Sequence, residues 1–223
     1  MHPDNNDNDN DDTDQRLVAA FDFDGTLTRR DTLRVFLREL RQPLVVAMAF
    51  ARHIPAVLRA YQGDAARDTA KELVFSDILG GMFEDVAEAA AAATAQAVIR
   101  SMLKPDVVAR LQWHQAAGHR VIVVSASFVH YVAPVVETLG VDEVIATRWA
   151  VNPSTSRLTG GFDGVNVRGA AKVDLLSQHL GRRCRPEYAY GNSSGDVAML
   201  AAARHAVWIG RTPIDEDPDG GRH

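Results

Sequence analysis

The stretch Leu17-Val-Ala-Ala-Phe-Asp-Phe-Asp-Gly-Thr-Leu-Thr28 decides the fold. Its first five residues form a short apolar run that leads into a glycine-containing turn, which is typical of a buried parallel strand. Because residues two apart on a strand share a face, Asp22 and Asp24 are predicted to converge at the carboxyl end of this strand. Open α/β sheets bind their ligands at that edge.

The two carboxylates predict a cation site. Adjacent carboxylates repel each other, and one pKa rises unless a cation lies between them. Hard oxygen ligands favour Mg²⁺. The alternative is a solvated Asp-x-Asp-Gly turn, a common element, but the buried strand that precedes Asp22 favours the metal site.

Strand and helix patterns alternate along the rest of the chain. Residues 148–151 and 157–160 flank Asn152-Pro-Ser-Thr-Ser156 and predict a hairpin. The alternation predicts an α/β fold built on a doubly wound parallel sheet. The predicted strands are 121–124, 144–146, 187–190 and 206–209, and the predicted helices are 106–117, 128–139, 170–180 and 196–203.

One region breaks the alternation. Residues 33–104 carry long helical patterns and no convincing strand, so they predict an all-helical insertion. The expected domains are a core of residues 16–32 and 105–211, this insertion, and polar tails of residues 1–15 and 212–223. The tails lack an apolar period and are predicted to be disordered.

Composition excludes several classes of protein. The 223 residues are 46% hydrophobic and 24% charged, which is ordinary for a globular chain. The single cysteine, Cys184, rules out an intramolecular disulfide framework. No apolar run is long enough for a standard membrane-spanning helix and the N-terminus is not a secretory signal, so we expect a cytoplasmic protein.

The net charge of −5 arises in the tails. Residues 1–14 contribute −6 and residues 212–223 contribute −3, which leaves a body of +4. That small surplus does not indicate nucleic-acid binding, which needs a dense basic face.

Three weaker signals support the first motif. Asn192 and Asp196 follow the strand at 187–190, Ser125 follows the strand at 121–124, and Lys172 lies near the start of a helix. Each has an ordinary alternative: a helix cap for the serines at 125, 127, 193 and 194, and an exposed cation for Lys172. Together with Asp22 and Asp24 they favour a phosphate site.

The chain resembles the haloacid dehalogenase-like hydrolase superfamily, in the branch of the phosphoserine phosphatases (subfamily IB). Four motifs occur in the family's order, over roughly residues 17–210: Asp22–Thr28, Val121–Ser125, Lys172 and Gly191–Asp196. The segment Arg157–Gly164 also resembles phosphoserine phosphatases. The helical insertion is similar to the family's cap domain.

The resemblance implies a Mg²⁺-dependent phosphomonoesterase and roles for each motif. Asp22 would be the nucleophile and Asp24 the general acid and base. Ser125 and Lys172 would stabilise the phosphoryl group, with backbone N–H groups near Gly25 and Ala126 and the hydroxyl of Thr26. Asp196 would orient Lys172 or a metal-bound water. The implied metal ligands are Asp22, Asp24, Asn192 and Asp196.

Two positions bear on affinity and substrate. Many relatives place an aspartate where this chain has Asn192, so the metal site loses one negative charge. Asp31 stands where phosphoserine phosphatases carry an acid that contacts the substrate's amino group; alternatively it caps a helix that begins near Thr32. Those enzymes also use an arginine of the cap, and the matching region 69–75 offers only Lys71.

Alternative functions remain open from the sequence. Residues 43–59 could lie on a membrane surface, which would suit a phospholipid-phosphate phosphatase of the phosphatidylglycerophosphate kind, although burial of this apolar side within the cap is favoured. A non-enzymatic phosphate-binding protein is the other alternative. The expected partner is a small phosphorylated substrate, for a monomer or a homodimer.

Overall fold

The computed structural model describes residues 16–181 and 185–210. The strands in these residues form a single sheet in the order β4-β3-β2-β1-β5-β6. Neighbouring strands are parallel except at the edge, where β4 runs antiparallel to β3 as the predicted hairpin. The doubly wound sheet is confirmed. The strands are β1 (Val18–Phe21), β2 (Arg120–Phe128), β3 (Glu143–Asn152), β4 (Arg157–Asp163), β5 (Tyr188–Gly191) and β6 (His205–Trp208).

Helices cover both faces of this sheet and fill the insertion. The insertion contains α1 (Leu33–Leu40), α2 (Pro43–Arg52), α3 (Ile54–Arg59), α4 (Asp64–Leu79) and α5 (Glu84–Ser101). The helices of the sheet are α6 (Pro105–Ala116), α7 (Val129–Glu137), α8 (Ala170–Leu180) and α9 (Val197–Ala202).

Strand β1 lies between β2 and β5 at the centre of the sheet. All four of its residues are buried, which explains the continuous apolar run in the sequence. Ala19 and Phe21 pack into the core on one face, and Val18 and Ala20 pack into the core on the other. The ends of three neighbouring strands therefore meet beside Asp22.

Two predicted strand boundaries are wrong. The strand predicted at 121–124 continues to Phe128, with an irregularity of register between Ser125 and Phe128. The segments 144–146 and 148–151 belong to one strand, β3, which pairs with β2 and then with β4. Thr147, which the prediction left between the two segments, is a buried position of β3, and Arg148 is an exposed position between two buried ones.

The insertion is fixed to the core at its base and through α4. Its two connections run side by side, with Thr28 bridged to Leu103. Helix α4 packs on β4 so closely that a Cβ at Gly160 would lie 2.5 Å from the Cα of Ser76. The described part of the insertion is helical, as the sequence indicates; the domain boundaries stay a prediction.

Other predictions fall outside the described residues. The disorder predicted for both tails is one of these, and Cys184 also lies outside the described residues. Across residues 16–181 and 185–210, no helix combines the length and the apolar character needed to cross a bilayer.

Candidate active site

The loop after β1 lies close against the loop after β5. Asp22 follows β1 directly, and residues Phe23–Leu27 form a tight helical turn in which Gly25 has a φ of 75°. A Cβ at Gly25 would lie 2.0 Å from the amide nitrogen of Asn192 in the loop after β5. Glycine therefore permits both the backbone conformation and the close approach of the two loops.

The buried Lys172 contacts an aspartate of the first motif and an aspartate of the last. Lys172, in the first turn of α8, is 1% exposed. Its Nζ lies 2.5 Å from Oδ1 of Asp22 and 2.7 Å from Oδ1 of Asp196. Burial would lower the pKa of Lys172, but the two carboxylates outweigh it and raise that pKa, so the ammonium stays charged.

The nucleophile candidate is oriented from two sides. Lys172 holds one carboxylate oxygen of Asp22, and the hydroxyl of Thr26 donates to the other at 2.9 Å. Burial raises the pKa of Asp22, while Lys172 opposes that rise. The sequence predicts that Thr26 contacts substrate, whereas its hydroxyl in the structure bonds to Asp22.

Asp24 lies beside Asp22 but has different partners. Its Oδ1 accepts from the backbone N–H and the hydroxyl of Thr32, both at 2.7 Å, and its Oδ2 accepts from the hydroxyl of Ser127. Burial, with a smaller contribution from the charge of Asp31, raises the pKa of Asp24 to about 6. A carboxyl with such a pKa exchanges protons readily near neutral pH.

Asp196 organises the loop after β5. Its Oδ2 accepts from the N–H and hydroxyl of Ser193, at 2.9 and 2.8 Å, and from the N–H of Asn192 at 3.1 Å. Ser193 thereby caps the short turn Ser194–Asp196, as one alternative from the sequence predicts. Asp196 thus orients both this loop and Lys172.

Ser125 lies within β2 rather than at the start of a helix. It is buried, and its Oγ accepts from the N–H of Ser127 at 3.0 Å. The N-cap residue of α7 is Phe128, and no side chain makes a capping hydrogen bond there. Neither serine therefore caps α7. The alternative interpretation of these serines as caps of α7 is therefore wrong.

These side chains surround a cavity of about 250 Å³. Three predicted site residues, Gly25, Thr26 and Asn192, are not among its lining residues. Its lining residues are Asp22, Asp24, Asp31, Leu33, Arg67, Lys71, Ser125, Ala126, Ser127, Asn166, Arg168, Lys172, Ser193 and Asp196. The N–H of Gly25 donates to the hydroxyl of Thr28 at 3.2 Å, so it serves its own loop.

Helix α4 of the insertion closes the other side of the cavity. Lys71 donates to the carbonyl of Ala126 at 2.8 Å and to Oδ1 of Asn166 at 2.6 Å. The amide of Asn166 in turn donates to Asp68 at 2.5 Å. Burial lowers the pKa of Lys71 to about 8. Lys71 and Asp68 therefore connect the insertion to the core, and Arg67 adds a second cation to the lining.

Asp31 has contacts at the start of α1 and also faces the cavity. Its Oδ1 accepts from the N–H of Leu33 at 2.8 Å, which caps the start of α1. The residue also lines the cavity. The cap is therefore present, and a role of Asp31 in substrate binding stays a prediction.

Sequence reasoning missed part of the lining. Ser127 and Thr32 hold Asp24, and Asn166 and Arg168 come from the loop before α8. The run Val165-Asn-Val-Arg168 just before the helix of Lys172 was an available signal, because polar residues at a loop-to-helix junction face the same sheet edge. Nothing in the sequence marks Arg67.

The donors at this edge fit a hard divalent cation. Asn192 Oδ1 is buried and has no hydrogen-bond partner, which is costly unless a ligand supplies one. The carboxylates of Asp22 and Asp196 together with the ammonium of Lys172 carry a net charge of one negative unit. Among described residues, no three His, Cys, Asp or Glu side chains group as metal ligands. Of the four implied ligands, Asn192 offers an oxygen without a partner, whereas the carboxylates of Asp22, Asp24 and Asp196 already accept hydrogen bonds.

Sequence comparisons identify relatives of this chain. The family model "haloacid dehalogenase-like hydrolase" matches residues 19–201. The chain is 38% identical to Protein CicA of Caulobacter vibrioides over 84% of this chain and 83% of that protein. It is 30% identical to a phosphoserine phosphatase of Halobacterium salinarum over 88% of this chain and 87% of that protein.

A solved structure agrees in fold. It is a phospho-aspartyl intermediate analogue of phosphoserine phosphatase, 23% identical, with a TM-score of 0.60 over 84% of this chain and 83% of that one. The family match, the relatives and the shared fold lead to one conclusion. The chain belongs to the haloacid dehalogenase-like hydrolase family, and within it to the phosphatases.

Proposed function

We propose that this protein hydrolyses small phosphomonoesters with Mg²⁺, through an aspartyl-phosphate on Asp22. The observation that carries the proposal is the arrangement of two carboxylates after one buried strand. Asp22 is held by Lys172 and Thr26, and Asp24 is held separately by Thr32 and Ser127. Both carboxylates face the same cavity.

The first step transfers the phosphoryl group. A carboxylate oxygen of Asp22 forms a bond to phosphorus, and the bond from phosphorus to the ester oxygen breaks. The leaving oxygen takes a proton from the carboxyl group of Asp24. Lys172 and the hydroxyl of Ser125 stabilise the negative charge of the phosphoryl oxygens.

The second step releases phosphate. Water attacks phosphorus and gives its proton to the carboxylate of Asp24, and the bond from phosphorus to Asp22 breaks. Asp24 is then protonated and Asp22 is ionised, as at the start. Asp196 has no proton to transfer in this scheme; it holds Lys172 and the loop after β5.

The site would hold Mg²⁺ through Asp22 and Asn192. When bound, the ion offsets the negative charge of the carboxylate and the phosphate, so that one anion can approach another. The unpartnered oxygen of Asn192 and the net negative charge around Lys172 support this assignment.

The lining of the cavity points to a small, charged substrate. Arg67, Lys71 and Arg168 add positive charge to the lining, and Asp31 is its one acid besides Asp22, Asp24 and Asp196. A phosphomonoester that carries a further acidic group, and an amine near Asp31, fits this distribution. Because Lys71 stands in the region where phosphoserine phosphatases use an arginine, and lysine lacks the bidentate fork that selects a carboxylate, we expect measurable but inefficient hydrolysis of phosphoserine, with another phosphomonoester preferred.

The direct test is hydrolysis of p-nitrophenyl phosphate. We expect turnover with Mg²⁺, loss with EDTA, and recovery when Mg²⁺ is restored. Asp22→Asn should abolish turnover because an amide cannot form the acyl-phosphate. Asp174→Asn, which changes an exposed carboxylate on α8, is the matched control and should retain full activity. Turnover by Asp22→Asn, or full activity without metal, would contradict the proposal.

A further inference from the structure

The outer surface of α2 and α3 is apolar and exposed to solvent. Helix α2 buries only Ala49, and α3 buries no residue. Leu44 is 69% exposed and Leu58 is 63% exposed. We call the following set the α2–α3 face: Leu44, Val45, Met48, Phe50, Ile54, Leu58 and Tyr61. The expectation that this apolar side is buried within the insertion is wrong.

The α2–α3 face stays exposed although the inner sides of both helices are packed against the core. Val46, Ala49 and Val57 already pack against the core on the inner side. Leu44 and Met48, four residues apart, lie on the opposite side of α2. Contiguous apolar surface of this kind marks an interaction site.

The charge beside the α2–α3 face favours an anionic partner. Residues 40–63 contain Arg41, Arg52 and Arg59 and no aspartate or glutamate, in a chain of net charge −5. Arg52 lies 3.1 Å from Asp77 of α4, so Arg41 and Arg59 supply the surplus positive charge beside the face. An apolar face with a surplus of positive charge complements the anionic surface of a bilayer. A second copy of the chain would bring two positive faces together, which opposes association.

The chain's own tails do not match the face. Residues 1–15 contain Met1 as their only large apolar side chain, and residues 211–223 contain only Ile214. Neither segment has the apolar residues to cover seven exposed ones.

We propose that the α2–α3 face docks on an anionic lipid surface. No described helix is both long and apolar enough to span a bilayer, so the two helices would lie in the plane of the interface. Helix α4 packs against α2 and α3 and contributes Arg67 and Lys71 to the cavity. Docking would therefore hold the active-site cavity near the membrane. The inference goes beyond the reaction proposed above and does not depend on it.

Co-sedimentation with vesicles tests the docking. Wild-type protein should bind vesicles of phosphatidylcholine that contain phosphatidylglycerol, bind pure phosphatidylcholine weakly, and dissociate as salt is raised. The double variant Leu44→Gln/Leu58→Gln should bind at least about tenfold more weakly, because two leucine side chains no longer enter the apolar region. Arg59→Gln should reduce only the part of binding that depends on phosphatidylglycerol.

The matched control is Leu17→Gln/Val86→Gln, which changes two exposed apolar residues elsewhere. It should bind vesicles like wild type. Equal weakening in the control, or no binding by wild type, overturns the proposal. So does a wild-type dimer in sedimentation equilibrium that Leu44→Gln/Leu58→Gln converts to monomer, since the face would then bind a second copy. Circular dichroism and p-nitrophenyl phosphate turnover show that each variant is folded, and turnover failure in wild type would count only against the proposed reaction.

Discussion

The catalytic edge of the sheet and the α2–α3 face are built in opposite ways. At the sheet edge, polar side chains are buried and each carboxylate has two or more specific partners. On the α2–α3 face, large apolar side chains are exposed and the arginines lie at the surface. Chemistry requires fixed positions of single atoms, whereas contact with a fluid surface requires only the right composition.

The largest expected difference between the regions is in turnover. Asp24→Asn should lower kcat by roughly 10²–10⁴, since the leaving oxygen and the attacking water lose their proton partner. Lys71→Met, on the insertion side of the cavity, should act mainly on KM. Steady-state kinetics with p-nitrophenyl phosphate separates the two. An equal fall in kcat for both variants would show that the insertion takes part in the chemical step.

Charge removal should also affect stability unequally. Lys172→Met leaves Asp22 and Asp196 buried without their cation, and should lower the free energy of unfolding by about 3–5 kcal/mol. Arg52→Met removes an exposed cation that lies 3.1 Å from Asp77, and should cost about 0–1 kcal/mol. Urea denaturation measures both. Similar losses would mean that Lys172 and its two carboxylates do not form a buried charged unit.

The stability of the fold at acid pH is expected to depend on His114, a buried residue of α6. His114 is buried, its Nε2 lies 2.8 Å from the hydroxyl of Tyr190, and burial lowers its pKa to about 3. The unfolded chain binds this proton below about pH 6.5 and the folded chain does not, so stability falls as the pH drops below 6.5. At pH 5 the loss amounts to about 2 kcal/mol.

His114→Gln should flatten that dependence between pH 6.5 and 4, even though it removes a hydrogen bond and lowers stability at pH 7. Urea denaturation of both proteins across this range gives the two slopes. If wild type and variant lose stability in parallel, His114 does not set the acid limit of the core.

The metal proposal gives a smaller effect. Asn192→Asp should lower the Mg²⁺ concentration needed for half-maximal activity by roughly an order of magnitude, because a carboxylate replaces a neutral amide close to a divalent ion. Asn152→Asp adds the same charge in the exposed hairpin and is the control. An unchanged requirement in Asn192→Asp would show that Asn192 is not a ligand.

The same contrast explains what the sequence could predict. Strand ends of a parallel sheet meet at one edge, so the sequence alone could place Asp22, Ser125 and Asn192 together. Lys172 joined them because its helix starts at that edge. The fold class followed from alternation of strands and helices, whereas the single strand β3 was predicted as two segments because two polar residues, Thr147 and Arg148, interrupt the apolar run.

The insertion resisted prediction for a physical reason. Helical periodicity shows which face of a helix is apolar, but not which neighbour, if any, will cover it. It therefore could not show that Arg67 of α4 reaches the cavity, nor that Leu44 and Leu58 remain exposed. Tertiary packing decides both, and no local signal in residues 33–104 records it.

The smallest expected effect lies at Asp31, which lines the cavity just before α1. As a helix cap, Asp31 accepts a hydrogen bond from the N–H of Leu33. The side-chain oxygen of an asparagine can accept the same bond. As a selector of amines, it acts through its negative charge, which asparagine lacks. The pair Asp31→Asn and Asp31→Ala therefore separates the two roles.

If Asp31 selects substrate, both variants should lower kcat/KM for phosphoserine by a few-fold relative to a neutral phosphate ester, roughly the effect of one exposed charge pair. In that case Asp31→Asn should keep its thermal stability. If Asp31 is only a cap, Asp31→Asn should match wild type in both measurements, and Asp31→Ala should lose about 0.5–2 kcal/mol of stability with its substrate ranking intact. Because the carboxylate both lines the cavity and bonds to Leu33, we expect Asp31→Ala to change ranking and stability together, and Asp31→Asn to change ranking alone. A ranking unchanged in both variants would remove Asp31 from the substrate site.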